Sequence, residues 1–251
     1  MTDIRSHRHP AVRWARLATL AALALLASVS PALALALSIT YVTTRGNDAN
    51  DGLTPTTPCR TINAALIKAA SPLEVRIAKG TYREAVNVST TAVFEVILSG
   101  NWDTAFTTQS AKTATMLRPD TKQSGRVVVL NPGGSGAHLT ATLTNLTVTG
   151  GNAKDADGSA PGGGVAVVAF SPAIATITLD RVTITGNREN VKFNNTFSGG
   201  GGLGVFTFGA STVDVTVRDS VFSRNMSGTT GGAIMLTETG GSHVTFTATR
   251  D

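Results

Sequence analysis

The chain is predicted to be all-β, a parallel β-helix solenoid in which short strands stack coil upon coil, and three observations predict it. Alternating apolar runs recur: Leu139 to Leu143, Ala175 to Leu179 and Val213 to Val217 each place their apolar side chains on one face. The equivalent positions Leu143, Leu179 and Val217 are 36 and 38 residues apart, a period that belongs to stacked supersecondary units, none of which can bury its apolar face alone. The composition agrees, since 26 Gly in 251 residues with only 15% charged and 5% aromatic residues favour short strands and tight turns over long helices.

Residues 1–36 read as a secretory signal peptide. Arg5, Arg8, Arg13 and Arg16 form its basic region, Leu17 to Val29 its apolar core, and Ala32-Leu33-Ala34 or Ala34-Leu35-Ala36 its cleavage site. The alternative is an uncleaved membrane anchor, because Leu17 to Leu37 is long enough to span a bilayer. Export to the extracellular space or outer cell surface follows, with membrane attachment only through this segment or one beyond the C-terminus. Asp3 and the four arginines carry +3 of the formal +5, so the mature chain holds about +2, which gives no argument for nucleic acid as a partner. Cys59 stands alone and is expected to be a buried free thiol or to pair outside this segment.

Residues 37–73 are read as an N-terminal strand, a loop and a capping helix. After Tyr41-Val42 comes the turn cluster Arg45 to Gly52, followed by Pro55 and Pro58. Asp48, Asn50 and Asp51 before Gly52 have the oxygen-rich spacing of a Ca²⁺ loop; Asx turns, in which such side chains bond their own backbone, are the alternative. Thr61 to Ala70 is the one predicted helix, with Thr61 as N-cap, Ile62, Ala65, Leu66 and Ala69 on one stripe, and Pro72 as its stop. An apolar stripe there suits an end cap over the first open coil.

These segments resemble the opening of right-handed parallel β-helix proteins of the pectin-lyase-like superfold. The resemblance is carried by Tyr41-Val42, Gly46-Asn47-Asp48-Ala49, Pro58-Cys59-Arg60-Thr61-Ile62-Asn63-Ala64-Ala65-Leu66 and Gly80-Thr81-Tyr82-Arg83-Glu84. It implies the fold for about residues 40 to 90 and leaves activity open, since many exported non-enzymatic proteins share it.

Residues 74–251 are assigned to the β-helix itself. Val75 to Ile77, Val86 to Val88, Val93 to Leu98 and Val127 to Leu130 are the early strands, and Gly100 to Thr107 is read as a loop insertion. Trp102 and Phe106 in it are either a sugar-stacking platform or aromatic seals against the core. From here three repeats, about 138–173, 174–211 and 212–242, precede a partial one at 243–251. After each first strand a polar pair, Thr144-Asn145, Asp180-Arg181 or Arg218-Asp219, breaks the alternation at a corner. A short second strand follows, Leu146 to Val148, Val182 to Ile184 or Ser220 to Phe222, and leads to Asn152, Asn187 or Asn225. A variable loop then reaches the third strand through Gly163-Gly164, Gly201-Gly202 or Gly231-Gly232. Three strands per unit predict a three-faced coil.

The roles assigned to these residues are structural. Asn at a repeated corner can bond its counterpart about 4.8 Å away in the next coil, and paired Gly allows positive φ and close backbone passage. Phe222-Ser223-Arg224-Asn225 with Gly231-Gly232-Ala233-Ile234 resembles the paired tetrapeptides of polymorphic outer-membrane-protein (chlamydial-type) repeats. That resemblance implies an exported, surface-exposed, adhesive β-helix. Arg250-Asp251 repeats the Arg218-Asp219 corner, so the chain stops mid-coil and is expected to be a truncated fragment.

No residue is assigned a catalytic, cofactor or metal role. Enzymes of the resembled superfold are implied to use Ca²⁺ on clustered carboxylates with an Arg base, or several Asp with a His on neighbouring coils. Asp180, Arg181, Arg218 and Asp219 stack at equivalent corners but read as a salt-linked corner. Asp155-Ala156-Asp157-Gly158 is a further Ca²⁺ candidate or a solvated loop, and neither His138 nor His243 has an acidic sequence neighbour. The expected function is therefore a non-enzymatic, exported surface protein, adhesive or carbohydrate-contacting, with surface glycans or neighbour-cell proteins as partners. A polysaccharide lyase or glycoside hydrolase relative, or an inactive fragment, are the alternatives.

Overall fold

A computed structural model describes residues 36–110, 114–120, 125–154, 162–170, 172–190 and 199–250. All but Ala36 of residues 1–36, read above as a signal peptide, and Asp155-Ala156-Asp157-Gly158 lie outside these residues. From Ala36 onward the chain forms one unit. It opens with β1 (Ser38–Val42) and a single short helix, α1 (Ile62–Leu66). One coil then comprises β2 (Leu73–Ala78), β3 (Gly80–Arg83) and β4 (Val86–Thr90), and the next β5 (Val93–Trp102), β6 (Thr115–Arg118) and β7 (Val128–Pro132).

Later coils carry one strand more. They are β8 (His138–Thr144), β9 (Thr147–Thr149), β10 (Asn152–Lys154) and β11 (Val165–Phe170), then β12 (Ile174–Asp180), β13 (Thr183–Thr185), β14 (Arg188–Asn190) and β15 (Leu203–Phe208). The third set is β16 (Thr212–Arg218), β17 (Val221–Ser223), β18 (Met226–Ser227) and β19 (Ile234–Thr239), with β20 (His243–Thr249) beginning another turn.

Each full coil gives one strand to each of three sheets, and the later coils give one more to a fourth. The sheets run β1-β2-β5-β8-β12-β16-β20, β3-β6-β9-β13-β17, β4-β7-β11-β15-β19 and β10-β14-β18, and all pairings between these strands are parallel. The protein is thus an all-β parallel solenoid. Register is fixed by burial, because a one-residue slip would turn every apolar residue outward. Leu98, Leu143, Leu179 and Val217 form one buried row, and Val96, Ala141, Ile177 and Val215 the next.

Three expectations need correction. The coil has a fourth, three-stranded sheet after the Asn corner, which the expected three faces omit; its strands are two or three residues long, too short to show alternation. The helix expected to reach Ala70 ends at Leu66. Thr61 does cap it, its side chain accepting from the Ala64 N–H at 3.2 Å. The Ile67 and Lys68 N–H groups, however, turn to the carbonyls three residues back, so the helix stops at Leu66, although Ala69 of the expected stripe still packs against the core. Finally, β5 continues through Trp102, and the inserted loop begins only at Asp103.

α1 packs against β1, β2 and β4, with Ile62, Ala65 and Leu66 in the common core. Glu84 fixes it there: its carboxylate accepts from the Ile62 N–H (2.8 Å), the Asn63 N–H (3.1 Å) and the Asn63 side-chain amide (2.8 Å). Burial raises the Glu84 pKa above the usual carboxylate range even against these bonds.

Candidate functional site

The repeated Asn and Gly residues fall at the corners, and their geometry is that of clamps between coils. Asn187, 1% exposed, accepts the Gly151 N–H of the preceding coil (3.0 Å), donates to the Val148 carbonyl there (3.0 Å) and donates to Asn225 Oδ1 of the following coil (3.1 Å). Asn225 repeats the pattern one coil on, accepting from the Asn187 N–H at 3.1 Å and donating to the Ile184 carbonyl at 2.8 Å. Asn152 does not belong to this ladder. It pairs in register with Arg188, so Gly151 holds the place of Asn187, and Asn152 Oδ1 is buried with no partner.

The glycine pairs are offset in the same way. Val165, Leu203 and Ile234 share one register position, so Gly163 corresponds to Gly201 and Gly232, and Gly164 to Gly202 and Ala233. Close passage is what these positions require: a Cβ on Gly163 would lie 2.3 Å from the Arg188 carbonyl oxygen, and one on Gly201 2.2 Å from that of Met226. Positive φ belongs to the residue ahead, Gly162, Gly200 and Gly231. Phe222 is partly buried against the core. Asn187, Asn225 and the closely packed Gly163, Gly164, Gly201 and Gly202 hold coils together, and Asn152 stands outside that set.

One corner pair, Asp180-Arg181, is salt-linked as expected, with Arg181 Nη2 2.6 Å from Asp180 Oδ2 and Arg181 Nε donating to Asn145 Oδ1 at 3.1 Å. Asn145, Arg181 and Asp219 all adopt left-handed φ of 45–55°. His138 sits inside the first sheet, while His243 Nδ1 lies 3.9 Å from Glu238 Oε1 on the exposed surface, an acidic neighbour that its adjacent residues do not supply.

A recessed surface lies near the N-terminus. A hollow of about 620 Å³ is bordered by the turn after β1, by the β2–β3 junction and by the inserted loop, and its walls include Thr43, Thr44, Arg45, Thr56, Lys79 and Thr104. Thr44 also lines an adjoining hollow of about 170 Å³ with Arg60, Thr81, Arg83 and Glu84. Gly80 permits this proximity, because a Cβ there would sit 2.7 Å from Thr44 Cγ2.

The acids around these hollows are occupied by the chain itself. Asp48 Oδ1 accepts the Arg60 and Thr61 N–H groups, both at 2.8 Å, and Asp51 Oδ1 accepts the Leu53 N–H and the Thr57 hydroxyl. Asn50 donates to the Pro58 carbonyl at 2.9 Å, so the turn cluster uses its side chains as Asx chemistry does. Asp103 gathers the N–H groups of Ala105, Thr107 and Thr108 and the hydroxyls of Thr107 and Thr108; the Thr107 hydroxyl leads in holding it well below the usual carboxylate range. Among the described residues no three His, Cys, Asp or Glu side chains converge.

Phe106 is 5% exposed and packs edge-on to Tyr41 at 4.8 Å, and the Trp102 ring is covered by the Arg76 guanidinium at 4.5 Å. Both aromatics therefore seal the loop rather than offer a stacking platform. Cys59 is a free, fully buried thiol beneath the turn cluster, where burial pushes its pKa up. Arg45, Arg60, Lys79 and Arg83 were not legible as a group, being spread over 39 positions; the nearest signal is that Arg45 and Lys79 each precede a turn glycine. Among the described residues, no helix is long and apolar enough to cross a membrane. Comparison with known protein families, with curated proteins and with solved structures finds no match to this chain.

Proposed function

We propose that this is an exported, non-enzymatic surface protein that contacts carbohydrate through the hydroxyl-bearing faces of its solenoid. The observation that carries the reading is a row of outward threonines, Thr142, Thr178, Thr216 and Thr247, in register across β8, β12, β16 and β20. Thr140 and Thr176 run beside it. Parallel strands repeat at about 4.8 Å, so such a row offers evenly spaced donors and acceptors to an extended polymer. The occupied carboxylates of Asp48, Asp51, Asp103 and Asp180 support binding over hydrolysis or elimination, because acid–base chemistry on a polysaccharide needs acids free to reach the scissile bond.

Within this reading the chain is a pectin-lyase-like β-helix of the right-handed kind carrying polymorphic outer-membrane-protein repeats. Support comes from the Asn225 clamp of the best-formed repeat and its counterpart at Asn187. The secretory pattern in residues 1–36 supports export and an extracellular or outer-surface location.

Equilibrium binding of the protein to a panel of soluble and insoluble polysaccharides tests the proposal. Binding without depolymerisation is expected, weakened about tenfold by Thr178→Lys, which sets a long cation in the middle of the threonine row. Release of unsaturated uronides from polygalacturonate or alginate, or binding to none of the panel, overturns it.

A further inference from the structure

We infer that the paired N-terminal hollows form a site for a saccharide bearing a phosphate or sulfate ester. This deepens the carbohydrate-contacting reading and rests on it for the sugar portion of the ligand.

The first ground is unpaired positive charge. Arg45 and Lys79 line the larger hollow, and Arg60 and Arg83 the smaller. None of the four side chains enters an ion pair or hydrogen bond among the described residues. The carboxylates close by keep their charge, but none is ion-paired with these four cations, which outnumber the acidic wall residue. Glu84 spends both oxygens on α1 and Asn63, Asp48 on the Arg60 and Thr61 backbone, and Asp103 on its own loop. Four cations thus line two neighbouring recesses in which Glu84 is the one acidic wall residue. Recessed like charges focus a field that draws in anions, and they cost least when a multiply charged anion neutralises them.

Size and donor type narrow the ligand. The smaller hollow, about 170 Å³, brings two guanidinium groups and the Thr81 hydroxyl around a space suited to one tetrahedral oxyanion. Guanidinium forks are well matched to phosphate and sulfate oxygens. The larger hollow, about 620 Å³, lies in the size range of small-molecule sites and is walled by the hydroxyl-bearing Thr43, Thr44, Thr56 and Thr104, with Pro55 and Pro58 as apolar faces. That lining suits a polyhydroxylated ring. Thr44 borders both spaces, so the ester and the sugar that carries it can occupy them together.

The test uses the full chain and one saccharide body in three forms: a dextran oligosaccharide, its sulfated derivative and its phosphorylated derivative, each titrated calorimetrically. At least one esterified form is expected to bind about tenfold or more tightly than unmodified dextran, with affinity falling as salt rises. Preference between the two names the ester. Arg60→Gln with Arg83→Gln is expected to abolish that advantage, and Arg45→Gln with Lys79→Gln to reduce it at least threefold. Arg224→Gln, on a distant coil, leaves it unchanged. All these side chains are exposed, so the melting curve should hold and serves as the control for folding.

Equal binding of all three forms, or an ester advantage that survives the four substitutions, overturns the site. The broader reading fails separately. Should the polysaccharide panel show no binding while inorganic phosphate or sulfate still binds and is lost in the Arg60→Gln and Arg83→Gln variant, the oxyanion site stands and carbohydrate contact falls.

Discussion

Gly163→Ala is expected to lower the thermal midpoint by about 6–12 °C, whereas Gly232→Ala, at the same place two coils later, should change it by less than about 3 °C. The two positions differ in what a methyl group would meet. At Gly163 it would lie 2.3 Å from the Arg188 carbonyl oxygen, 2.5 Å from its carbon and 2.8 Å from the Gly201 oxygen, all backbone atoms of the next coil. Backbone in a stacked strand cannot step aside without breaking its own ladder, so the cost is about 3 kcal/mol. At Gly232 the sole near atom is the Asn225 oxygen, at 3.3 Å, and the residue has no positive φ to defend. There the reduced freedom of the unfolded chain offsets most of the contact. Circular dichroism melts of the two variants decide the matter; equal losses would mean that the glycines recur for some reason other than coil spacing.

Asn187→Ala is expected to cost about 3 kcal/mol, read as a lower urea midpoint at unchanged slope. Truncation leaves the buried Gly151 N–H without its acceptor and removes a donor from the Val148 carbonyl and from Asn225 Oδ1. An unsatisfied buried amide costs more than a hydrogen bond gains, which is why the loss exceeds that of one ordinary bond. Asn225→Ala should cost only about 1 kcal/mol, because Asn225 is partly open to solvent and water can replace its side chain. A smaller loss at Asn187 than at Asn225 would contradict the clamp.

The solenoid was legible wherever strands were long enough to alternate. Leu143, Leu179 and Val217 share a register row as their spacing implied, since seven-residue strands with one buried face leave no freedom to slip. Short elements were not legible. A two-residue strand such as Met226–Ser227 carries no periodicity, and the segment read as a variable loop is there a strand in the fourth sheet. Identity of residue type also misled: Gly231-Gly232 aligns by eye with Gly201-Gly202, yet Ala233 stands where Gly202 does, because Ile234 is the register partner of Leu203. Asn152 failed for the same reason, one position past the clamp.

At the N-terminal hollows the limits were of another kind. Asp48 and Asp51 could be assigned either to a cation or to their own backbone, and only the positions of the Arg60, Thr61 and Leu53 N–H groups show which contacts they make. Arg45, Arg60, Lys79 and Arg83 come from a turn, a loop, the β2–β3 junction and the end of β3, and nothing local in the chain links them before it folds.

The central claim is that successive coils stack in parallel and in register, with threonines outward. Paired cysteines test it most directly. Thr178 and Thr216 are register partners on adjacent strands, about 4.8 Å apart at Cα and within disulfide reach, whereas Val217 lies one step on and points into the core. Under mild oxidation Thr178→Cys/Thr216→Cys should form its disulfide readily and Thr178→Cys/Val217→Cys should not; ready bridging of the second pair in place of the first would contradict the fold on which the proposals here stand.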